Sequence, residues 1–263
     1  MLGLLLNDTG RVKEAEAQWR LARDVRIARG DTGNQDYANL LNNLAIARYN
    51  QGDLDEAQRL YGESIAVWRA IGGPPGAELA ATLQNVGVVQ RLKGRHAEAE
   101  ASFREAIALR VKLLGDVHPF VAMTRAHLAD VLARVGDYAD AESEARRAFA
   151  IQDAALPAGH LDRARSLSAL GFVLTRASRP TEGEPYLREA LAIRQSVLPP
   201  RHWQIATVES MLGECLVAQG RSAAATPLLE AAGMVLSASL GPSHPSTVEN
   251  AQRLASAAAP AGR

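Results

Sequence analysis

Residues 82–115 read TLQNVGVVQRLKGRHAEAEASFREAIALRVKLLG, and the spacing of the apolar residues in this stretch decides the fold. The apolar residues recur at steps of three or four in two separate stripes, Leu83, Val86 and Val89 and then Ala99, Phe103 and Ile107. Such spacing is typical of amphipathic helices. Gly94 lies between the stripes, where a left-handed glycine suits the end of the first helix. The stretch therefore predicts a tight antiparallel helical hairpin.

The same pattern returns every 42 residues without insertions. A Leu or Val followed by Gly or Ala occurs at seven places in register, Leu2-Gly3, Leu44-Ala45, Val86-Gly87, Leu128-Ala129, Leu170-Gly171, Leu212-Gly213 and Leu254-Ala255. The position of the turn glycine is filled by Gly10, Gly52, Gly94, Gly136, Ser178 and Gly220. We therefore predict a single repeat domain over residues 1–263, made of a partial repeat 1–38, full repeats 39–80, 81–122, 123–164, 165–206 and 207–248, and a capping helix 246–258.

These residues resemble the tetratricopeptide repeat, which combines small residues, a turn glycine and a bulky residue in the second helix. The bulky residues in this chain are Trp19, Tyr61, Phe103, Leu187 and Leu229. The unit is longer than the usual repeat of about 34 residues and is similar to the kinesin light chain type of repeat. The resemblance implies an all-α fold, a right-handed superhelical solenoid of antiparallel hairpins, and binding of a protein or peptide partner.

Composition argues against several other classes of partner. Lys plus Arg and Asp plus Glu both number 29, so no net charge favours nucleic acid or an anionic membrane surface. The chain has no run of about 18 apolar residues, which a membrane-spanning helix requires. Cys215 is the single cysteine, which excludes an internal disulfide framework. We therefore expect a cytoplasmic protein without nucleic-acid or membrane partners.

Four histidines are also spaced by 42 residues, and these are His118, His160, His202 and His244. Metal ligation requires nitrogens about 2 Å from one ion, whereas packed helices lie about 8–10 Å apart. Equivalent residues of successive repeats are therefore too far apart to share a metal. We expect instead that each histidine begins the first helix of a repeat, next to the proline in the two His-Pro copies.

No catalytic motif occurs in the sequence, so we predict a protein that is not an enzyme and that uses no metal or cofactor. The remaining functional hypothesis is an interaction scaffold. An alternative is the regulatory array of a larger bacterial signalling protein, a kinase or a transcription regulator, because the first repeat begins inside a first helix. The apolar stub from Met1 to Leu6 is a candidate for self-association.

The first helices supply the candidate binding residues, because in the resembling family these helices line the concave groove. Asn and Gln carboxamides both donate to and accept from a peptide backbone, and Arg pairs with carboxylates. The candidate groove residues are Asn39, Asn42, Asn43, Tyr49, Gln84, Asn85, Arg91, His127, Arg134, Arg165, Ser168 and Arg176.

One hairpin departs from the repeat pattern. Ser178 replaces its turn glycine and Gly183 replaces the alanine that follows in most other units. We therefore expect this hairpin to be the loosest of the series.

Overall fold

The computed structural model describes residues 12–72 and 76–258, which contain twelve α-helices. The helices are α1 (Val12–Ala28), α2 (Gln35–Asn50), α3 (Leu54–Ile71), α4 (Ala77–Leu92), α5 (His96–Leu114), α6 (Pro119–Val135), α7 (Tyr138–Ala155), α8 (Leu161–Arg176), α9 (Pro180–Val197), α10 (Trp203–Ala218), α11 (Ser222–Leu240) and α12 (Pro245–Ala258). The stub from Met1 to Leu6, for which the sequence predicts self-association, lies outside the described residues.

The helices repeat with the period that the sequence predicts. First helices begin at residues 35, 77, 119, 161, 203 and 245, and second helices begin at 12, 54, 96, 138, 180 and 222. Both series advance by 42 residues per step. Each first helix begins four residues before the predicted repeat boundary, because a period fixes the spacing of equivalent residues and not the residue at which a helix starts.

The chain divides into two compact units, unit 1 over residues 1–113 and unit 2 over residues 114–263. In unit 1, α2 packs against α1 and α3, and α4 packs against α2 and α3. In unit 2, the hairpins α6–α7, α8–α9 and α10–α11 stack in chain order, and α12 packs against α10 and α11. This stacking confirms the predicted all-α architecture of helical hairpins.

The repeated small and bulky residues form the interior of both units. The bulky residues of the second helices are all buried, and these are Trp19, Tyr61, Phe103, Leu187 and Leu229. Gly87 of α4 shows why a small residue faces them, since a Cβ atom on this glycine would lie 2.7 Å from the Phe103 ring. The first helix therefore approaches the second more closely than any larger residue would permit.

Left-handed residues end the first helices, as the sequence predicts. Gly52, Gly94, Gly136 and Gly220 have φ between 73° and 90°. Ser178 takes the same place in the α8–α9 hairpin with φ of 61°, a conformation that is unfavourable for a residue with a Cβ atom. The repeat geometry therefore imposes the left-handed turn even where the glycine is missing.

The evenly spaced histidines begin helices, which confirms their predicted role. The Nδ1 atoms of His118, His160, His202 and His244 accept hydrogen bonds from the backbone N–H two residues later, at 3.1–3.2 Å. Each imidazole thereby satisfies one of the free N–H groups at the start of α6, α8, α10 or α12. The 42-residue spacing of these histidines follows from the spacing of the helix starts.

That the α8–α9 hairpin is the loosest of the series stays a prediction, although Gly183 is closely packed. This glycine is buried and lies directly against the backbone of Gly171 on the facing helix. Removing the Cβ atom at this position therefore brings the two helices closer together.

Among the described residues, α11 is the one helix that is long and apolar enough to cross a membrane, on the criteria of length and composition. It also carries the buried stripe of an ordinary hairpin helix. Leu229 packs with Leu212 and Leu216 of α10, and Leu236 packs with Ala206 of the same helix.

Candidate protein-binding surface

The first helices of unit 1 carry a group of asparagines outside the core, which we call the asparagine cluster: Asn39, Asn42, Asn43 and Asn85. Asn39 is exposed, and the other three are half-buried. Nδ2 of Asn85 on α4 donates to Oδ1 of Asn42 on α2 at 3.3 Å, so the cluster continues from one hairpin to the next. Within the described residues, the side chains of Asn39 and Asn43 make no hydrogen bond. Their carboxamides are therefore available to a partner.

Two other candidates in unit 1 lie on the same two helices as this cluster. Tyr49, near the end of α2, is half-buried and packs against the apolar core of unit 1. Arg91, near the end of α4, is half-buried as well. Both residues therefore expose only part of their surface.

Gln84 does not belong to an open surface, which corrects the sequence-based prediction. Its side chain is buried, and its Oε1 atom accepts a hydrogen bond from Nη1 of Arg110 on α5 at 2.6 Å. Arg110 is only 5% exposed, and burial lowers its pKa to about 10. The amide oxygen of Gln84 therefore stabilises a buried guanidinium group inside the hairpin.

In unit 2, Ser168 is also buried, which is a second correction. Its Oγ atom donates to the carbonyl oxygen of Ala164 at 2.7 Å, so the hydroxyl is satisfied within its own helix α8. Two candidate residues nearby contact each other, because Nη1 of Arg165 lies 3.3 Å from Nε2 of His127. Arg165 also lies 3.7 Å from Asp162.

The two remaining candidate arginines of unit 2, Arg134 and Arg176, are paired with acidic residues of the same unit. Nε of Arg134 donates to Asp130 at 3.0 Å, and its Nη atoms donate to the carboxylate of Glu249 on α12. Arg176 pairs with Glu214 at 3.3 Å, and Glu214 also accepts from Arg253 of α12 at 2.6 Å. These six residues, which we call the ion-pair chain, are Asp130, Arg134, Glu249, Arg253, Glu214 and Arg176.

Several side chains of the ion-pair chain are largely removed from water, whereas those of Glu249 and Arg176 are 31% and 42% exposed. Those of Arg134 and Asp130 are each 15% exposed, and that of Arg253 is 11% exposed. Burial raises the pKa of Glu249, but the hydrogen bond and charge of Arg134 outweigh it and hold that pKa below its usual value. Glu249 is therefore ionised and paired at neutral pH.

Sequence reasoning missed Glu249 and Arg253 because it assigned α12 only a capping role. A signal for them was present, since they occupy the repeat positions of Asn39 and Asn43, five periods further along the chain. Helix α12, which closes the core of unit 2, therefore also contributes to the surface formed by the first helices α6, α8, α10 and α12, which we call the first-helix face of unit 2.

A family model for the tetratricopeptide repeat matches the chain over residues 1–70, 36–110, 79–154 and 162–233. These matches cover most of the sequence, so the protein belongs to the tetratricopeptide repeat family. Proteins of this family generally mediate protein–protein interactions, and no catalytic domain was found alongside the repeats. A search of curated proteins gave no match.

Solved structures with the same fold include proteins of the kinesin light chain type. BtubC (BKLC) from P. vanneervenii is 18% identical with a TM-score of 0.61, over 88% of this chain and 91% of that one. A putative kinesin light chain from Podosopora anserina with nearly identical TPR-like repeats is 21% identical with a TM-score of 0.55, over 75% and 94%. Rap protein complexed with Competence and Sporulation Factor is 13% identical with a TM-score of 0.63, over 97% and 72%. At these identities the likeness establishes the fold.

Proposed function

We propose that this protein is an interaction scaffold and that a peptide segment or partner domain binds to the first-helix face of unit 1. The observation that carries this proposal is the asparagine cluster, in which two carboxamides make no hydrogen bond with any other residue that the structure describes. Family membership supports the class of function, because tetratricopeptide repeat proteins bind other proteins.

The chemistry of the cluster fits an extended polypeptide. Each carboxamide offers both a donor and an acceptor, which matches the alternating N–H and C=O groups of a peptide backbone. The backbones of α2 and α4 are held by helix packing, so only the side chains of the cluster, and no loop, have to be ordered when a partner binds. The equivalent face of unit 2 offers fewer unoccupied polar groups, because Arg134 and Arg176 are already paired with acidic residues.

The test is a quantitative pull-down from the source organism with the wild-type chain beside the double variant Asn43→Ala/Asn85→Ala. We expect the variant to lose at least about fivefold in affinity for the specific partner, because each direct hydrogen bond contributes about 0.5–1.5 kcal/mol. Gln18→Ala/Gln195→Ala removes two exposed carboxamides from second helices and serves as the matched control. Equal recovery of the partner by all three proteins contradicts the proposal.

A second candidate is a regulatory array that forms part of a larger signalling protein. The likeness to Rap protein, whose structure contains Competence and Sporulation Factor, favours it. The genomic sequence around this reading frame tests it, and a fused or adjacent kinase or DNA-binding domain is the expected finding.

A further inference from the structure

Arg134 of α6 and Glu249 of α12 lie 115 residues apart in the sequence, yet their side chains are hydrogen-bonded. Two other first helices, α8 and α10, come between α6 and α12 in the order of the hairpins. With an interaxial distance of about 8–10 Å, three steps between helices placed side by side on a flat surface span roughly 24–30 Å. An arginine side chain does not bridge such a distance. The first-helix face of unit 2 is therefore curved until side chains of α6 and α12 meet.

The ion-pair chain connects all four helices of this face. Arg176 of α8 pairs with Glu214 of α10, which pairs with Arg253 of α12, and Glu249 of α12 pairs with Arg134 of α6. Arg253 also lies 3.8 Å from Glu249, so positive and negative groups alternate without a break. Because Glu249 lies beside both Arg134 and Arg253, neutralising it removes one counter-ion from each of these mostly buried arginines, which keep Asp130 and Glu214 as their other partners.

Two contacts hold the cations of this chain in place. The guanidinium group of Arg134 lies over the ring of Phe172 on α8, 5.2 Å from its centroid. Nη1 of Arg253 donates to Oγ of Ser210 on α10 at 3.0 Å. Each of these arginines is therefore held by an ion pair and by a further contact with a neighbouring first helix.

We propose that the ion-pair chain is an intramolecular lock that holds the first-helix face of unit 2 closed, in which the carboxylate of Glu249 on α12 is paired with the guanidinium group of Arg134 on α6. Breaking the Arg134–Glu249 contact lets α6 and α12 separate and uncovers Phe172 and the guanidinium group beside it. Closure is a property of unit 2 alone. Its consequence, that a partner reaches this face only after opening, rests on the proposed scaffold function.

The experiment measures the distance between α6 and α12 directly. Spin labels are attached at Val135→Cys and Gln252→Cys, two exposed positions next to Arg134 and Arg253, in a Cys215→Ala background. We expect one narrow distance distribution for the otherwise unaltered chain. Glu249→Gln keeps the size of the side chain and removes its charge, and we expect it to move the distribution outward by at least about one helical turn, 5.4 Å.

A charge-retaining variant separates the lock from a mere loss of folding. Glu249→Asp keeps the negative charge on a side chain one methylene shorter, and we expect it to give a shorter distance than Glu249→Gln gives. Glu100→Gln breaks an exposed pair with Arg104 within α5 and serves as the control, with no change expected. Circular dichroism verifies that each variant keeps its helix content.

The proposal is overturned if Glu249→Gln leaves the distribution of the unaltered chain in place while helix content is retained. It is also overturned if Glu249→Asp is as open as Glu249→Gln. Partner binding is measured separately, by the pull-down described above. If a variant opens unit 2 and keeps its affinity for the partner, this face does not bind the partner, but the proposed lock is still supported.

Discussion

Gly183 of α9 lies so close to Gly171 of α8 that a Cβ atom added to Gly183 would come within 2.6 Å of the Gly171 carbonyl oxygen. The two glycines thus set the spacing of the α8–α9 hairpin. Gly183→Ala is expected to destabilise the protein by about 1–3 kcal/mol, because the backbones have to move apart. Chemical denaturation measures the effect.

Gly62 provides the matched control for that substitution. It lies in α3 and is exposed, and a Cβ atom added to it would meet no atom within 4 Å outside its own helix backbone and chain neighbours. Gly62→Ala is therefore expected to stabilise the protein by up to about 1 kcal/mol. A loss of stability of the same size in both variants would contradict the close packing inferred at Gly183.

Ser178→Gly is expected to stabilise the protein by about 1 kcal/mol, since φ of 61° strains a residue with a side chain and not glycine. Ser143, an exposed residue within α7, gives the opposite expectation. Ser143→Gly should destabilise by about 0.5–1 kcal/mol because glycine weakens a helix interior. Thermal unfolding of the two variants shows whether stability rises or falls in each. A lower unfolding temperature for Ser178→Gly would show that the turn is unstrained.

His202 makes stability depend on pH through its role at the start of α10. Burial lowers the pKa of His202, and the charge of Arg194 lowers it further. The unfolded chain, with a histidine pKa of about 6.5, therefore binds the proton first as the pH falls. The contribution of the neutral imidazole to the free energy of unfolding is therefore complete above about pH 6.5. It is lost as the pH falls toward the lower pKa of His202 in the folded protein.

His202→Asn keeps a side chain that begins helices well but does not titrate. We expect the unfolding free energy of this variant to vary less with pH below about 6.5 than that of the wild type. Denaturation between about pH 5 and pH 7.5 measures the difference. Parallel curves over this range would show that the His202 ring does not contribute.

Gln84→Ala and Asn85→Ala separate a structural role from a binding role at neighbouring residues. Gln84→Ala removes one hydrogen-bond acceptor of a buried guanidinium group, so we expect a loss of about 1.5–3 kcal/mol in the free energy of unfolding. Asn85→Ala removes the hydrogen bond to Asn42, so we expect a loss of no more than about 1 kcal/mol together with weaker partner binding. Equal stability of the two variants would contradict the assignment of Gln84 to the interior.

The sequence predicted the repeat architecture because the features that define it are local and recur in register. Gly94 and Gly136 end helices through their own backbone conformation, and His118 caps a helix through a contact two residues away. Such interactions depend on neighbours along the chain, so a periodic pattern identifies them. The Asn39 and Asn43 side chains likewise lie outside the core, as their helical phase predicts.

The tertiary structure decided which polar residues of the first helices face water and which are already occupied. Gln84 turns inward because Arg110 of the next helix requires an acceptor, and Ser168 is covered by its neighbours. The Arg134–Glu249 contact depends on the curvature that three successive helix packings accumulate. The period, the turns and the helix starts can be recognised from the residues of single repeats, so the sequence determined the hairpins. The small angles between packed helices add up over several repeats, so packing determined which polar side chains stay accessible on the first helices.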